Sequence, residues 1–214
     1  SWYDVAAPLV PGSTHSVSLT VKDTRGITVS ADREFVTPEY VTLPAAYAVN
    51  DVNTGQRGFN VKVHQTAART QETTVARAEQ QLQGMRGANV ADLTGFTGGV
   101  YAEASVINYS QPTADGVTPE QNGYFYEPTD PATLPVERQI ADKLIPGIPS
   151  ATELNDDGSY YTDNIAAEIT TYLHFPEAGV YTLIFNSDDG FRTTASAGNK
   201  EVLTSLVVSQ ADVG

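Results

Sequence analysis

Apolar and polar positions alternate along much of this chain at a period of two, the spacing of strands with one dry and one wet face. In HSVSLTVKD, residues 15–23, Val17, Leu19 and Val21 alternate with Ser16, Ser18, Thr20 and Lys22. DTRG, ending at Gly26, supplies turn chemistry, and ITVSADREFV returns over residues 27–36, so the two runs predict a hairpin with one half-buried face. GFNVKVHQT, residues 58–66, predicts another strand through Phe59, Val61 and Val63. GGVYAEASVINYS, residues 98–110, predicts one through Val100, Ala102, Ala104 and Val106. EITTYLHF, residues 168–175, sets Ile169, Thr171, Leu173 and Phe175 on one face. PEAG then makes a turn, and VYTLIFNS returns with Tyr181, Leu183 and Phe185 together, the clearest hairpin pattern in the chain.

A helical period occurs in TTVARAEQQLQGMRG, residues 73–87. Thr73 or Thr74 caps it, Val75, Ala78 and Leu82 form a narrow apolar stripe, and Gly84 or Gly87 ends it, as expected for a surface helix laid on a sheet. A long insertion over residues 111–158, rich in Pro, Asp and Gly, contains a second short helical pattern, PVERQIADKLI, with Pro135 in its first turn. The expected fold class is therefore all-β: antiparallel β-sandwich modules with one or two short surface helices. The first hairpin resembles the last strands of an immunoglobulin-like or fibronectin-type sandwich. This divides the chain into a sandwich tail (1–38), a connecting β-α section (39–94) and a second, incomplete sandwich (95–214).

The chain has 26 acidic and 12 basic residues, a net charge of -14, and no cysteine. That balance argues against nucleic acid or an anionic membrane surface as partner and makes cations natural ones. No apolar run approaches the roughly 20 residues of a membrane-spanning helix. Because two or three strands rarely stabilise themselves, the missing strands are expected upstream in a longer protein or on another chain.

The most distinctive chemistry is the acidic pair in IFNSDDGFR, residues 184–192. Over residues 164–198 the order of apolar strand, Pro-x-x-Gly turn, VYTLIF and SDDGFR resembles the central motif of the protective-antigen-type domain named after anthrax toxin. That β-sandwich occurs in fungal adhesins and flocculins, in bacterial surface adhesins and as an insert in glycoside hydrolases. The likeness continues more diffusely from about Gly95. In sugar-binding members both carboxylates of a cis Asp-Asp peptide hold calcium, which coordinates vicinal sugar hydroxyls. The resemblance thus implies Asp188 and Asp189 as calcium and ligand-binding residues, and calcium is a hard cation that takes 6 to 8 oxygen ligands. The chain departs from the family pattern where it reads AAEITTYL ahead of the hairpin and where Ala197 stands in place of a common acid.

Other candidates are weaker. NDDGSYYTDN, residues 155–164, is a second acidic loop with Asp156, Asp157 and Asp163, without EF-hand spacing. Asn108-Tyr109-Ser110 is one glycosylation sequon. Tyr124, Tyr126, Tyr160 and Tyr161 are read as packing contacts rather than sugar platforms. His15, His64 and His174 show no metal-ligand spacing, and no nucleophile elbow, phosphate loop or dinucleotide fingerprint is present. The expectation is a non-catalytic extracellular or cell-surface adhesion or recognition module, with a glycan or surface polymer as partner and other chains completing its sandwiches. A structural subunit of an extracellular fibre or surface layer is the alternative, and an accessory module of a secreted glycosidase the weaker one.

Overall fold

The computed structural model describes residues 9–69, 71–120, 124–125, 140–198 and 205–212. Among them the fold is all-β: strands pair in small sheets, and there is one short α-helix. The chain divides into two units, one running to Tyr47 and one from Ala48 onward.

In the first unit, β1 (Thr14–Lys22) pairs antiparallel with β2 (Thr28–Val36), in register from Thr14↔Val36 to Lys22↔Thr28. The turn is built by Asp23. Its Oδ1 accepts the amides of Arg25 at 2.9 Å and Ile27 at 2.8 Å, and the Ile27 amide leads the contacts that hold this carboxyl below its ordinary range. The open end is tied by Thr37, whose amide donates to the Ser13 carbonyl at 3.0 Å. The predicted hairpin is present, with Val17, Leu19 and Val21 on one face with Val29, Ala31 and Phe35. That face is not half-buried: Leu19 is 63% and Val29 67% exposed. Alternation is enough to make the ladder, but drying a face requires a second layer, which two strands do not provide.

The second unit comprises β3 (Phe59–Gln65), α1 (Val75–Leu82), β4 (Tyr101–Glu103), β5 (Tyr109–Ser110), β6 (Tyr124–Phe125), β7 (Ile140–Ala141), β8 (Lys143–Leu144), β9 (Ile165–Thr170), β10 (Phe191–Ala195) and β11 (Leu206–Ala211). Its main sheet has the order β4-β3-β9. The expected connecting section therefore supplies the central strand, bonded to β4 through Val61↔Tyr101 and to β9 through Val61↔Ile169. Val61 and Val63 point to the core face, where Ile148 packs on them with Phe59, Phe96, Tyr101, Ile107, Ile145 and Ile165 around the edge. The insertion, expected to shape a surface, contributes Ile145 and Ile148 to this core.

Three expectations are corrected. The run over residues 98–110 does not form one strand: it pairs with β3 only as far as Glu103, and β5 pairs parallel with β8 instead. The described end of the helical pattern at 135–145 is extended as β7 and β8, because Ile140 and Ala141 bond to β6 and the Lys143 amide donates to the Asn108 carbonyl at 3.0 Å. The remainder of that pattern lies outside the described residues, as does Tyr126. Finally, β9 stops at Thr170, and residues 171–190 carry no strand ladder. The bend at 176–179 is present, closed by the Phe175 and Tyr181 rings at 4.7 Å and by the Tyr181 hydroxyl donating to the Glu177 carbonyl at 2.7 Å.

Gly58 opens β3 at a φ of 118°, and a Cβ there would lie 2.1 Å from the Glu103 carbonyl oxygen. Gly58→Ala is expected to destabilise the second unit by about 2 kcal/mol or more, because both the φ and the close approach exclude a side chain. Urea denaturation followed by circular dichroism checks this.

Candidate functional site

The acidic pair is best understood from the helix beside it. Thr74 caps α1, its hydroxyl accepting the Arg77 amide at 3.2 Å. The side chains it buries are Val75, Arg77 and Gln81 rather than the predicted Val75, Ala78 and Leu82 stripe. Arg77 and Gln81 are one helical turn apart and bonded, Nη1 to Oε1 at 2.7 Å. Arg77 also donates from Nε to the Glu72 carbonyl at 2.8 Å and from Nη1 to the Ile165 carbonyl at 3.2 Å. Gln81 Nε2 donates to the carbonyls of His64 at 2.6 Å and Asn164 at 2.7 Å. Together they cap the end of the β3–β9 ladder. Gln65, fully buried, donates to the carbonyls of Tyr161 and Asp163, and the buried Tyr161 hydroxyl donates to the Thr66 carbonyl at 2.7 Å. Tyr161 is thus a packing residue, and Tyr160 lies against Gly116.

Asp188 and Asp189 sit exposed in the bend immediately before β10. Gly190 after them permits a close approach: a Cβ there would lie 2.7 Å from the Asp212 carbonyl oxygen at the end of β11. Burial lowers the pKa of the Arg77 guanidinium, and the negative charge of Asp189 opposes that shift. Arg192, at the start of β10, is ion-paired to Glu79 of α1. The structure therefore brings the acidic turn up against the helix. The one cis peptide among the described residues is Ile148–Pro149, and the Asp188–Asp189 bond is trans.

The remaining sequence candidates are dispersed. Asp157 organises its own loop, accepting the Ser159 hydroxyl at 2.6 Å and amide at 2.9 Å, with the hydroxyl contact chiefly holding its carboxyl below the ordinary range. Asp163 contributes its carbonyl to Gln65, and Asp156 is an exposed member of the same turn. Among the described residues, no group of three or more His, Cys, Asp or Glu side chains is placed to hold a metal ion. Asn108 Nδ2 donates to the Ile140 carbonyl at 3.0 Å and to Asp142 at 2.8 Å.

One cluster escaped the sequence reading. Glu103 is buried beside Lys143, whose Nζ is 2.7 Å from Oε2. It also accepts the Tyr109 hydroxyl at 3.0 Å and the Ser105 amide at 2.9 Å. Burial alone would raise this carboxyl, yet Lys143, Ser105 and Tyr109 together hold it below its ordinary value. Burial, reinforced by Glu103, pushes the Tyr109 phenol up. Lys143 Nζ also reaches the Ser105 hydroxyl at 2.8 Å. The cluster is an ion pair of Glu103 and Lys143 with the Tyr109 and Ser105 hydroxyls hydrogen-bonded to it. The signal lay in a Glu and a Lys distant in sequence, which no periodicity connects. On the opposite face of the main sheet an open groove of about 490 Å³ is lined by Asn60, Lys62, Thr97, Val100, Glu168 and Thr170.

The chain matches no protein-family model, no curated protein and no solved structure. No helix among the described residues is long and apolar enough to cross a membrane.

Two measurements probe this region. Arg77→Ala leaves Gln81 Oε1 and two carbonyls without their donor, and is expected to cost about 2–4 kcal/mol of unfolding free energy. Glu79→Ala, at a partly exposed pair, is expected to cost under about 1 kcal/mol. Burial pushes the His64 imidazole below its ordinary 6.5. The folded state then binds fewer protons than the unfolded chain, so stability is full above that pH and declines as the pH falls below it. Denaturation midpoints measured as a function of pH should show this decline in the native chain and its loss in His64→Gln.

Proposed function

We propose that this chain is a non-catalytic adhesion or recognition module of an extracellular or cell-surface protein, whose strands are completed by a neighbouring β-domain or chain. The observation that carries the reading is the β1–β2 hairpin. It is paired from end to end, yet its apolar face of Val17, Leu19, Val21, Val29 and Phe35 remains exposed. Such a face is half of a sandwich core, and the partner that fits it is a second sheet with an apolar inner face. The same hairpin supports the alternative of a fibre or surface-layer subunit, in which the completing sheet belongs to a like chain.

A calcium-dependent carbohydrate site at Asp188 and Asp189 is the second reading. It is favoured by the side-by-side exposure of two carboxylates next to a strand and by the resemblance of SDDGFR to the protective-antigen-type motif.

The two readings separate in solution. If sheet completion is the function, the native chain assembles with rising concentration in sedimentation velocity, or binds a β-domain partner, and Leu19→Glu abolishes this. A Leu19→Glu chain that behaves as the native one removes the hairpin from the argument. If calcium is held, millimolar calcium raises the melting temperature, by an amount corresponding to about 2.7 kcal/mol at one hundred times Kd, and Asp188→Ala loses the shift. An unchanged melting temperature rules out the metal, and with it chelator-sensitive binding on a glycan array.

A further inference from the structure

We propose that Asp189 is a site of spontaneous isoaspartate formation, selected by the fold from the three Asp-Gly steps of the chain, Asp115-Gly116, Asp157-Gly158 and Asp189-Gly190. In the reaction the Gly190 nitrogen bonds to the side-chain carboxyl carbon of Asp189, and its proton leaves with the carboxyl hydroxyl as water. A five-membered succinimide results. Water then reopens the ring. Attack at the side-chain carbonyl restores aspartate, whereas attack at the main-chain carbonyl breaks the original peptide bond and leaves Gly190 joined through the side chain. Solvent is the only other reactant, and the product has the composition of the starting chain.

Local sequence does not select, because Asp157 and Asp189 both stand in Asp-Asp-Gly. Exposure does not select either, because all three aspartates are exposed. The difference lies in whether the two reacting groups are free. At Asp157 the carboxylate accepts the Ser159 hydroxyl at 2.6 Å and amide at 2.9 Å, and the Gly158 amide donates to the Asn155 carbonyl at 2.9 Å. At Asp115 the carboxylate accepts the amides of Val117 at 2.9 Å and Thr118 at 2.8 Å, and the Gly116 amide donates to the Thr113 carbonyl at 2.9 Å. Gly116 is also buried against the Tyr160 ring. Electrophile and nucleophile are both tied down in these two turns. The same contacts, led by the hydroxyls of Ser159 and Thr118, hold the two carboxyls below their ordinary range, and an ionised carboxylate has no hydroxyl to lose as water. Among the described residues, by contrast, neither the Asp189 carboxylate nor the Gly190 amide has a hydrogen-bond partner. Gly190 also has no Cβ to hinder the approach.

Each conversion adds one carbon to the main chain immediately before β10. Room is short there: a Cβ on Gly190 would lie 2.7 Å from the Asp212 carbonyl oxygen, and the next residues, Phe191 and Arg192, pair with Ala211 and Glu79. Isoaspartate therefore loosens β10 from β11 and from α1 as the protein ages.

The test is storage of the full native chain in calcium-free neutral buffer for several weeks, with isoaspartate assigned residue by residue by electron-transfer fragmentation of its digests. Isoaspartate is expected to accumulate about tenfold faster at Asp189 than at Asp157, the factor that follows when both reacting groups must first give up a hydrogen bond. A parallel incubation in guanidinium chloride removes the fold, and there the two rates are expected to converge. Equal rates in the native chain overturn the assignment. So does a preference for Asp189 of the same size in the denaturant, which would place its origin in the sequence. Neither incubation involves a partner or a metal, so this inference stands or falls separately from the proposed function.

Discussion

The buried pair of Arg77 and Gln81 holds the second unit together. β3 and β9 stop pairing at Gln65↔Ile165, and around that end carbonyls take side-chain donors from α1. A buried carbonyl without a donor costs about as much as a lost hydrogen bond. Gln81 answers those of His64 and Asn164, and Arg77 that of Ile165. A buried guanidinium is itself expensive unless its donors are engaged. Its position in a capped helix of only eight residues is therefore set by the sheet as much as the sheet end is set by it. The Glu79–Arg192 pair joins β10 to the same helix, and the charge of Asp189 acts on Arg77 there.

Much of this was legible in the sequence where the signal is local. The first hairpin, the strand through Val61 and Val63 and the helix with its Thr74 cap are each written as a short period with a turn or cap beside it. What was not legible depended on distant partners. Arg77 and Gln81 look like the wet side of a surface helix, and the carbonyls that engage that side include those of Asn164 and Ile165, more than eighty positions away. Glu103 reads as part of an alternating strand and Lys143 as part of a helical pattern until the pairing of β5 with β8 brings the two regions together. The pattern at 135–145 carried helical periodicity in a segment whose described end is instead bonded as strands. Of the candidate site, the acidic pair Asp188-Asp189 was readable as a motif, whereas the helix beside it was not.

The scarcity of basic residues gives these pairings a wider effect. Arg77 and Lys143 are turned inward against carbonyls and a buried carboxylate, Arg192 is held by Glu79, and Arg69 lies 4.0 Å over the Tyr161 ring. With 26 acidic against 12 basic residues the chain carries a net charge of -14. Such a charge repels polyanions and draws counterions from solution.

The geometry of the first hairpin has a mechanical side. Its two chain ends leave together, at Thr14 and Val36, so tension along the polypeptide acts on one pair of the ladder at a time instead of shearing all of them at once. The amide of Gly12 on the Thr37 and Pro38 carbonyls comes first in the path, followed by that of Thr37 on Ser13, and once these yield the strands peel apart one pair after another. Fully drawn out, residues 14–36 span roughly 80 Å. A folded element a few residues wide thus stores a length of slack, released at low load and recovered when the strands zip back from the Asp23 turn.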